Sequence, residues 1–144
     1  MSAPVGGRYI ETSALLRVLL DGDEGLRAEV AGEGLFTSAL TFAEAQRALQ
    51  RVRREGRLPE AELRLVERQL TRFARSCAVM AADEGVLERA GRAFPVEPVR
   101  TLDAIHLATA LALSAADIDV EVVSCDQRVR DNAIALGFRV TPAA

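Results

Sequence analysis

The sequence predicts an α/β fold in which helices cover both faces of a mostly parallel sheet. Three observations predict it. Short apolar runs alternate with segments of three-and-four helical periodicity, the run Val120-Glu-Val-Val-Ser124 is rich in β-branched residues, and Thr101 to Ala115 is apolar nearly all round. A helix without a polar face has to lie deep, here against a sheet. Strands that alternate with helices pair in parallel, because each crossover spans the length of a helix.

Each element has its own signal. Tyr9-Ile10 ends a first strand and leads into a helix from about Ser13 to Leu20, and Asp21-Gly22-Asp23 makes a turn before a short helix over Gly25 to Val30. Gly34 to Thr37 reads as a buried strand. A helix then places Phe42, Ala45, Leu49 and Val52 on one face and stops at Glu55-Gly56; another, starting near Pro59, aligns Leu63, Val66, Leu70 and Phe73. Together they form a helical hairpin. Cys77 to Ala81 is a strand, Asp83 to Phe94 an amphipathic helix, and Pro95 to Pro98 a loop. After the deep helix and the Val120 to Ser124 strand, Gln127 to Leu136 is helical, Gly137 stops it, and Phe138 to Thr141 closes the sheet.

At 144 residues the chain suits a single domain, 1–144, that removes roughly two thirds of its extended surface from water. No linker or repeat divides it. The net charge of −3 supplies no global field for a polyanion, so any nucleic-acid contact has to come from local arginine clusters. Cys77 and Cys125 lack metal or redox spacing, the N-terminus lacks the basic and apolar regions of a leader, and no apolar run is long enough to span a bilayer. The expectation is a cytoplasmic protein with reduced thiols.

Four acids fall at or near strand ends, where parallel sheets gather functional groups: Glu11, Glu44, Asp103 and Asp126. Two readings stand for each. Glu44 follows Thr41 at capping-box spacing, Asp103 lies where a helix dipole favours negative charge, and Asp126 is placed to cap the helix from Gln127. Glu11 is hardest to explain as a cap, a role Thr12 or Ser13 fills better. Read jointly, the four have one cause: hard divalent ions take carboxylate oxygens, and clustered like charges are unfavourable without a cation.

The segments E-T-S-A-L-L (Glu11 to Leu16), S-A-L-T-F-A-E-A (Ser38 to Ala45), L-D-A-I-H-L-A-T-A (Leu102 to Ala110) and V-V-S-C-D-Q-R-V-R-D-N-A-I-A-L-G-F (Val122 to Phe138) together resemble the PIN-domain ribonucleases, in particular VapC-type toxins of toxin–antitoxin pairs. The resemblance covers nearly the whole chain. It implies a three-layer sandwich with a five-stranded parallel sheet of order 3-2-1-4-5, and an endoribonuclease dependent on Mg²⁺ or Mn²⁺. It also implies a cognate antitoxin, a structured RNA substrate such as tRNA or ribosomal RNA, and a homodimer. Glu11, Glu44, Asp103 and Asp126 take the family's acidic positions, with metal at Glu11, Asp103 and Asp126. Thr12, Ser13 and Ser124 become polar helpers and Asp131 an extra acid. Glu11 departs from the family, which usually has aspartate there.

Such a site requires neither a histidine base nor a cysteine nucleophile. His106, one turn after Asp103, is read as a satisfied core histidine or as a partner of an acid, and Cys125 as a packing residue. Arg47, Arg51 and Arg54, with Arg64, Arg68, Arg72 and Arg75, form stripes on the hairpin helices. These stripes are either an RNA-phosphate surface or a solvated face neutralised by Glu60, Glu62 and Glu67. A module that keeps the fold and binds RNA or antitoxin without cleaving is the alternative to the enzyme. A phosphoryl-transfer domain of receiver type is disfavoured by glutamate at position 11 and by the absence of lysine.

Overall fold

The computed structural model describes residues 5–143, so the leader reading of residues 1–4 lies outside it. Five strands, β1 (Val5–Ile10), β2 (Leu35–Ser38), β3 (Ala78–Met80), β4 (Ile118–Val123) and β5 (Val140–Thr141), pair in parallel in the order β3-β2-β1-β4-β5. The helices are α1 (Thr12–Asp21), α2 (Glu24–Arg27), α3 (Ala39–Glu55), α4 (Glu60–Ser76), α5 (Glu84–Ala90), α6 (Thr101–Ala115) and α7 (Gln127–Ala135), with a 3₁₀ turn at Ala28–Val30. This is the expected sandwich and strand order.

Alternation along the central strands builds the three layers. Ile10 and Val123 face α1, α3 and α4 and join Leu15, Leu49, Leu63 and Phe73 in one core. Their neighbours Tyr9 and Val122 face the other way, into a core with Leu107, Leu113 and Val129 from α6 and α7. Helix α6 is buried from Asp103 to Ala110 and again at Leu113, as its largely apolar circumference requires. The hairpin α3–α4 turns at Gly56, whose φ of 65° favours glycine, and Arg53 clasps it by ion pairs to Glu60 and Glu67.

The differences from expectation are local. α5 ends at Ala90 rather than Phe94, because Phe94 leaves the helix to pack beneath α6 and α7 and its N–H is taken by Glu97. β3 is a short edge strand with Val79 exposed, and β5 shrinks to two residues. No helix among the described residues is long and apolar enough to cross a membrane.

Gly7 sits where the sheet is tightest. A Cβ there would lie 2.7 Å from the Phe36 ring and 2.8 Å from the Gly34 carbonyl oxygen, the latter fixed by its bond from the Arg8 N–H. Gly7→Ala is therefore expected to destabilise the protein by about 1–3 kcal/mol through overpacking. A urea midpoint equal to that of the unaltered protein would contradict this.

Candidate active site

One cleft of about 550 Å³ at the carboxyl edge of the sheet is lined by all four acids, with Thr12, Ser13, Leu16, Ala48, Arg51, Arg100, Thr101 and Leu102. Glu11 and Asp126 reach it from the ends of β1 and β4, Glu44 from the second turn of α3, and Asp103 from the first turn of α6. The cleft is where distant segments meet.

Each carboxylate is held differently. Glu11 is 4% exposed and caps α1 itself, accepting from the Ser13 N–H at 3.0 Å. This corrects the expectation that Thr12 or Ser13 caps. The longer glutamate side chain folds back far enough to do so, and its Oε1 also accepts from the hydroxyls of Ser13 and Ser124, both at 2.5 Å. The Ser13 hydroxyl in turn accepts the Cys125 N–H, tying α1 to the end of β4.

Glu44 forms no capping box. The cap of α3 is Ser38, three residues before Thr41, and Thr41 is drawn inward by the Thr37 hydroxyl at 2.8 Å. The Oε1 of Glu44 accepts instead from Thr12 Oγ1 at 2.6 Å and pairs with His106 Nε2 at 2.6 Å. Burial works against its charge, but the hydrogen bonds of His106 and Thr12 prevail and hold it below the usual carboxylate range. Thr12 thus serves Glu44, not Glu11. His106 fits both of its readings: it is 1% exposed and also bonded to an acid.

Asp126 caps α7 through Oδ1, which accepts from the Arg128 and Val129 N–H groups. Asp103 has no such support. Burial first, and the nearby Asp126 charge second, push its carboxyl up, opposed by Arg100 at 3.4 Å and, less strongly, by His106. The same guanidinium lies 3.8 Å from Asp126, so Arg100 bridges the two acids from the rim. Sequence reasoning missed it, although an arginine three residues before an N-terminal helix aspartate was a readable signal.

Asp131 does not join the site; it is exposed on α7 and bonded by the Gln127 amide. Of the arginine stripes, Arg51 lines the acid cleft, whereas Arg68 and Arg72 line a separate depression on α4 with Arg75. Arg47, Arg54 and Arg64 are exposed and line neither. Glu60 and Glu67 pair with Arg53, and among the described residues no carboxylate lies within ion-pair distance of any stripe arginine. Cys125 packs against the α1 core, and burial raises its thiol, as for Cys77.

Among the described residues, no three acid, histidine or cysteine side chains converge closely enough to hold one ion. The internal bonds above account for this, since each side chain is drawn toward its own partner. The donor chemistry nevertheless fits Mg²⁺ or Mn²⁺: every acidic donor is a hard oxygen, and the Asp103–Asp126 repulsion is the kind a cation relieves.

The chain matches the family model described as PIN domain over residues 8–135. It is 33% identical to ribonuclease VapC35 of Mycobacterium tuberculosis, covering 92% of this chain and 93% of that one, and 34% identical to ribonuclease VapC46 of the same organism, covering 92% and 94%. A toxin–antitoxin complex from Klebsiella pneumoniae superposes with a TM-score of 0.62 at 17% identity, over 95% of this chain and 98% of that one. VapBC2 from Rickettsia felis, bound to a promoter DNA fragment, gives 0.61 at 10% identity, over 92% and 96%.

Because the raised Asp103 carboxyl penalises the folded state once ionised, the penalty is present above its folded pKa and vanishes as pH falls toward the unfolded value of about 3.9. Asp103→Asn is expected to melt at higher temperature than the unaltered protein at pH 7 without divalent cations, with the gain shrinking as pH is lowered. A melting temperature unchanged or lowered at pH 7 would show that Arg100 already compensates the charge.

Proposed function

The chain belongs to the PIN-domain family, and we propose that it is a VapC-type toxin: a Mg²⁺- or Mn²⁺-dependent endoribonuclease that cleaves structured RNA, tRNA or ribosomal RNA, in the cytoplasm. The observation that carries this reading is the meeting of Glu11, Glu44, Asp103 and Asp126, from four chain segments, in one cleft. Its relatives named as ribonucleases support the reaction class. Toxin–antitoxin neighbours with the same fold support an antitoxin partner, and we extend the proposal to a homodimer.

In this reading Glu11, Asp103 and Asp126 would hold the ion, which when bound supplies Lewis acidity to water and to phosphate oxygens. Arg100 exchanges its place between Asp103 and Asp126 for a phosphate of the RNA, and Arg51, which also lines the cleft, offers a second positive charge. Glu44, kept ionised by its hydrogen bonds, orients the attacking water. The exposed arginines of α3 and α4, free of internal ion pairs among the described residues, extend the phosphate-binding surface beyond the cleft. The chain's few aromatics, 4%, leave little for base stacking, so contact falls mainly on the backbone.

A second reading, an RNA- or antitoxin-binding module without cleavage, is favoured by one observation: both oxygens of Glu11 are already engaged by Ser13 and Ser124. Incubation with bulk tRNA and ribosomal RNA in Mn²⁺ separates the two. The enzyme reading expects cleavage that chelation abolishes and that Asp103→Asn lowers by more than about 100-fold, beyond the loss typical of residues that only support a ligand. Absence of cleavage by both the unaltered protein and Glu11→Asp would assign the binding role instead.

A further inference from the structure

Beneath the acid cleft lies a buried hydrogen-bonded chain that the proposed reaction does not itself require. The Tyr9 hydroxyl is 2.7 Å from His106 Nδ1, and His106 Nε2 is 2.6 Å from Glu44 Oε1. Tyr9 and His106 are each 1% exposed, with the rings edge to face at 5.9 Å between centroids. Thr12 Oγ1 donates to the same Glu44 oxygen at 2.6 Å. Oε2 of Glu44 has no hydrogen-bond partner among the described residues, and its side chain is 24% exposed.

We infer that Tyr9 and His106 are positioning residues for Glu44: the Tyr9 hydroxyl fixes the tautomer of His106 with hydrogen on Nε2, and that N–H pins one Glu44 oxygen so that the other faces the cleft. The inference rests on the ribonuclease reading, in which Glu44 acts on water.

The direction of the chain follows from which atoms have protons to give. A phenol keeps its proton at neutral pH, so the Tyr9 hydroxyl, 2.7 Å from Nδ1, donates to it. The ring hydrogen then belongs on Nε2. The opposite tautomer would set the Nε2 lone pair against a carboxylate oxygen at 2.6 Å, acceptor facing acceptor. With Thr12 and His106 both donating to Oε1, Glu44 has little freedom to rotate, as an orienting group requires. The arrangement has the logic of a carboxylate held by a histidine whose far nitrogen is itself held.

His106 is the sole histidine of the chain, so an untagged, ¹⁵N-labelled full-length protein gives one pair of imidazole signals. The unaltered protein is expected to show a protonated Nε2 and an unprotonated Nδ1 at neutral pH, and Tyr9→Phe a mixture of tautomers. Against bulk tRNA, Tyr9→Phe should lower kcat by about 10- to 100-fold with KM unchanged. His106→Gln, whose amide N–H reaches toward the place of Nε2, should retain more activity than His106→Leu at matched melting temperature. An Nδ1–H or doubly protonated ring in the unaltered protein, a Tyr9→Phe variant with full kcat, or equal losses in His106→Gln and His106→Leu would each overturn the inference. Failure of the unaltered protein to cleave at all would instead overturn the ribonuclease reading, while the imidazole spectrum still decides the tautomer.

Discussion

The register between β1 and β4 is the constraint on which both core and cleft depend. Six residue pairs run from Val5 opposite Ile118 to Ile10 opposite Val123, and the Glu11 N–H continues the ladder to the Val123 carbonyl at 2.9 Å. That last bond sets Glu11 beside Ser124, so a carboxylate and a hydroxyl separated by 113 positions become neighbours. The same register sends Ile10 and Val123 to one face and Tyr9 and Val122 to the other. A slip of one residue would exchange the faces and carry Tyr9 away from His106. Arg130 secures the end of this ladder, donating to the Ser124 carbonyl and to the Pro142 carbonyl beyond β5.

On this frame the site keeps four acids together by giving them unequal support. Glu11 has hydroxyls and an amide, Glu44 a histidine and a threonine, and Asp126 two helix amides, all contributed by rigid elements. Asp103 has only a solvent-exposed arginine arm. Burial and the nearby Asp126 charge push its carboxyl upward, a cost of the cluster that falls on Asp103. Arg100 is long and largely exposed, so a stronger cation displaces it at little loss of packing.

Most of this was legible where the signal is local. Apolar periodicity located α3 and α4, the all-round apolar character of α6 marked it as deep, and acids at the strand ends marked the cleft. Local rules failed where a side chain had two competing partners. Thr41 and Glu44 have capping-box spacing, yet Thr37 and His106 offer buried partners that outcompete a helix terminus already capped by Ser38. Asp131 sits in a matching segment, but the turn of α7 points it to solvent and Gln127. The Tyr9–His106 contact joins residues 97 positions apart, and no spacing rule reaches that far.

Glu11 then stands apart from its three companions. Asp126 anchors Oδ1 on helix amides and turns Oδ2 toward Arg100, Glu44 anchors Oε1 and leaves Oε2 open, and Asp103 engages Arg100 through Oδ2 alone. Each keeps an oxygen for a ligand at the cleft. Glu11 spends both oxygens on its own neighbourhood, because a glutamate at the start of α1 is long enough to bend back to the Ser13 amide while Oε1 meets two hydroxyls. An aspartate at the same place is one methylene shorter and cannot cover both sets of donors at once, so it leaves more of its carboxylate facing outward. The residue choice at position 11 therefore trades availability in the cleft for cohesion of the β1–α1–β4 junction.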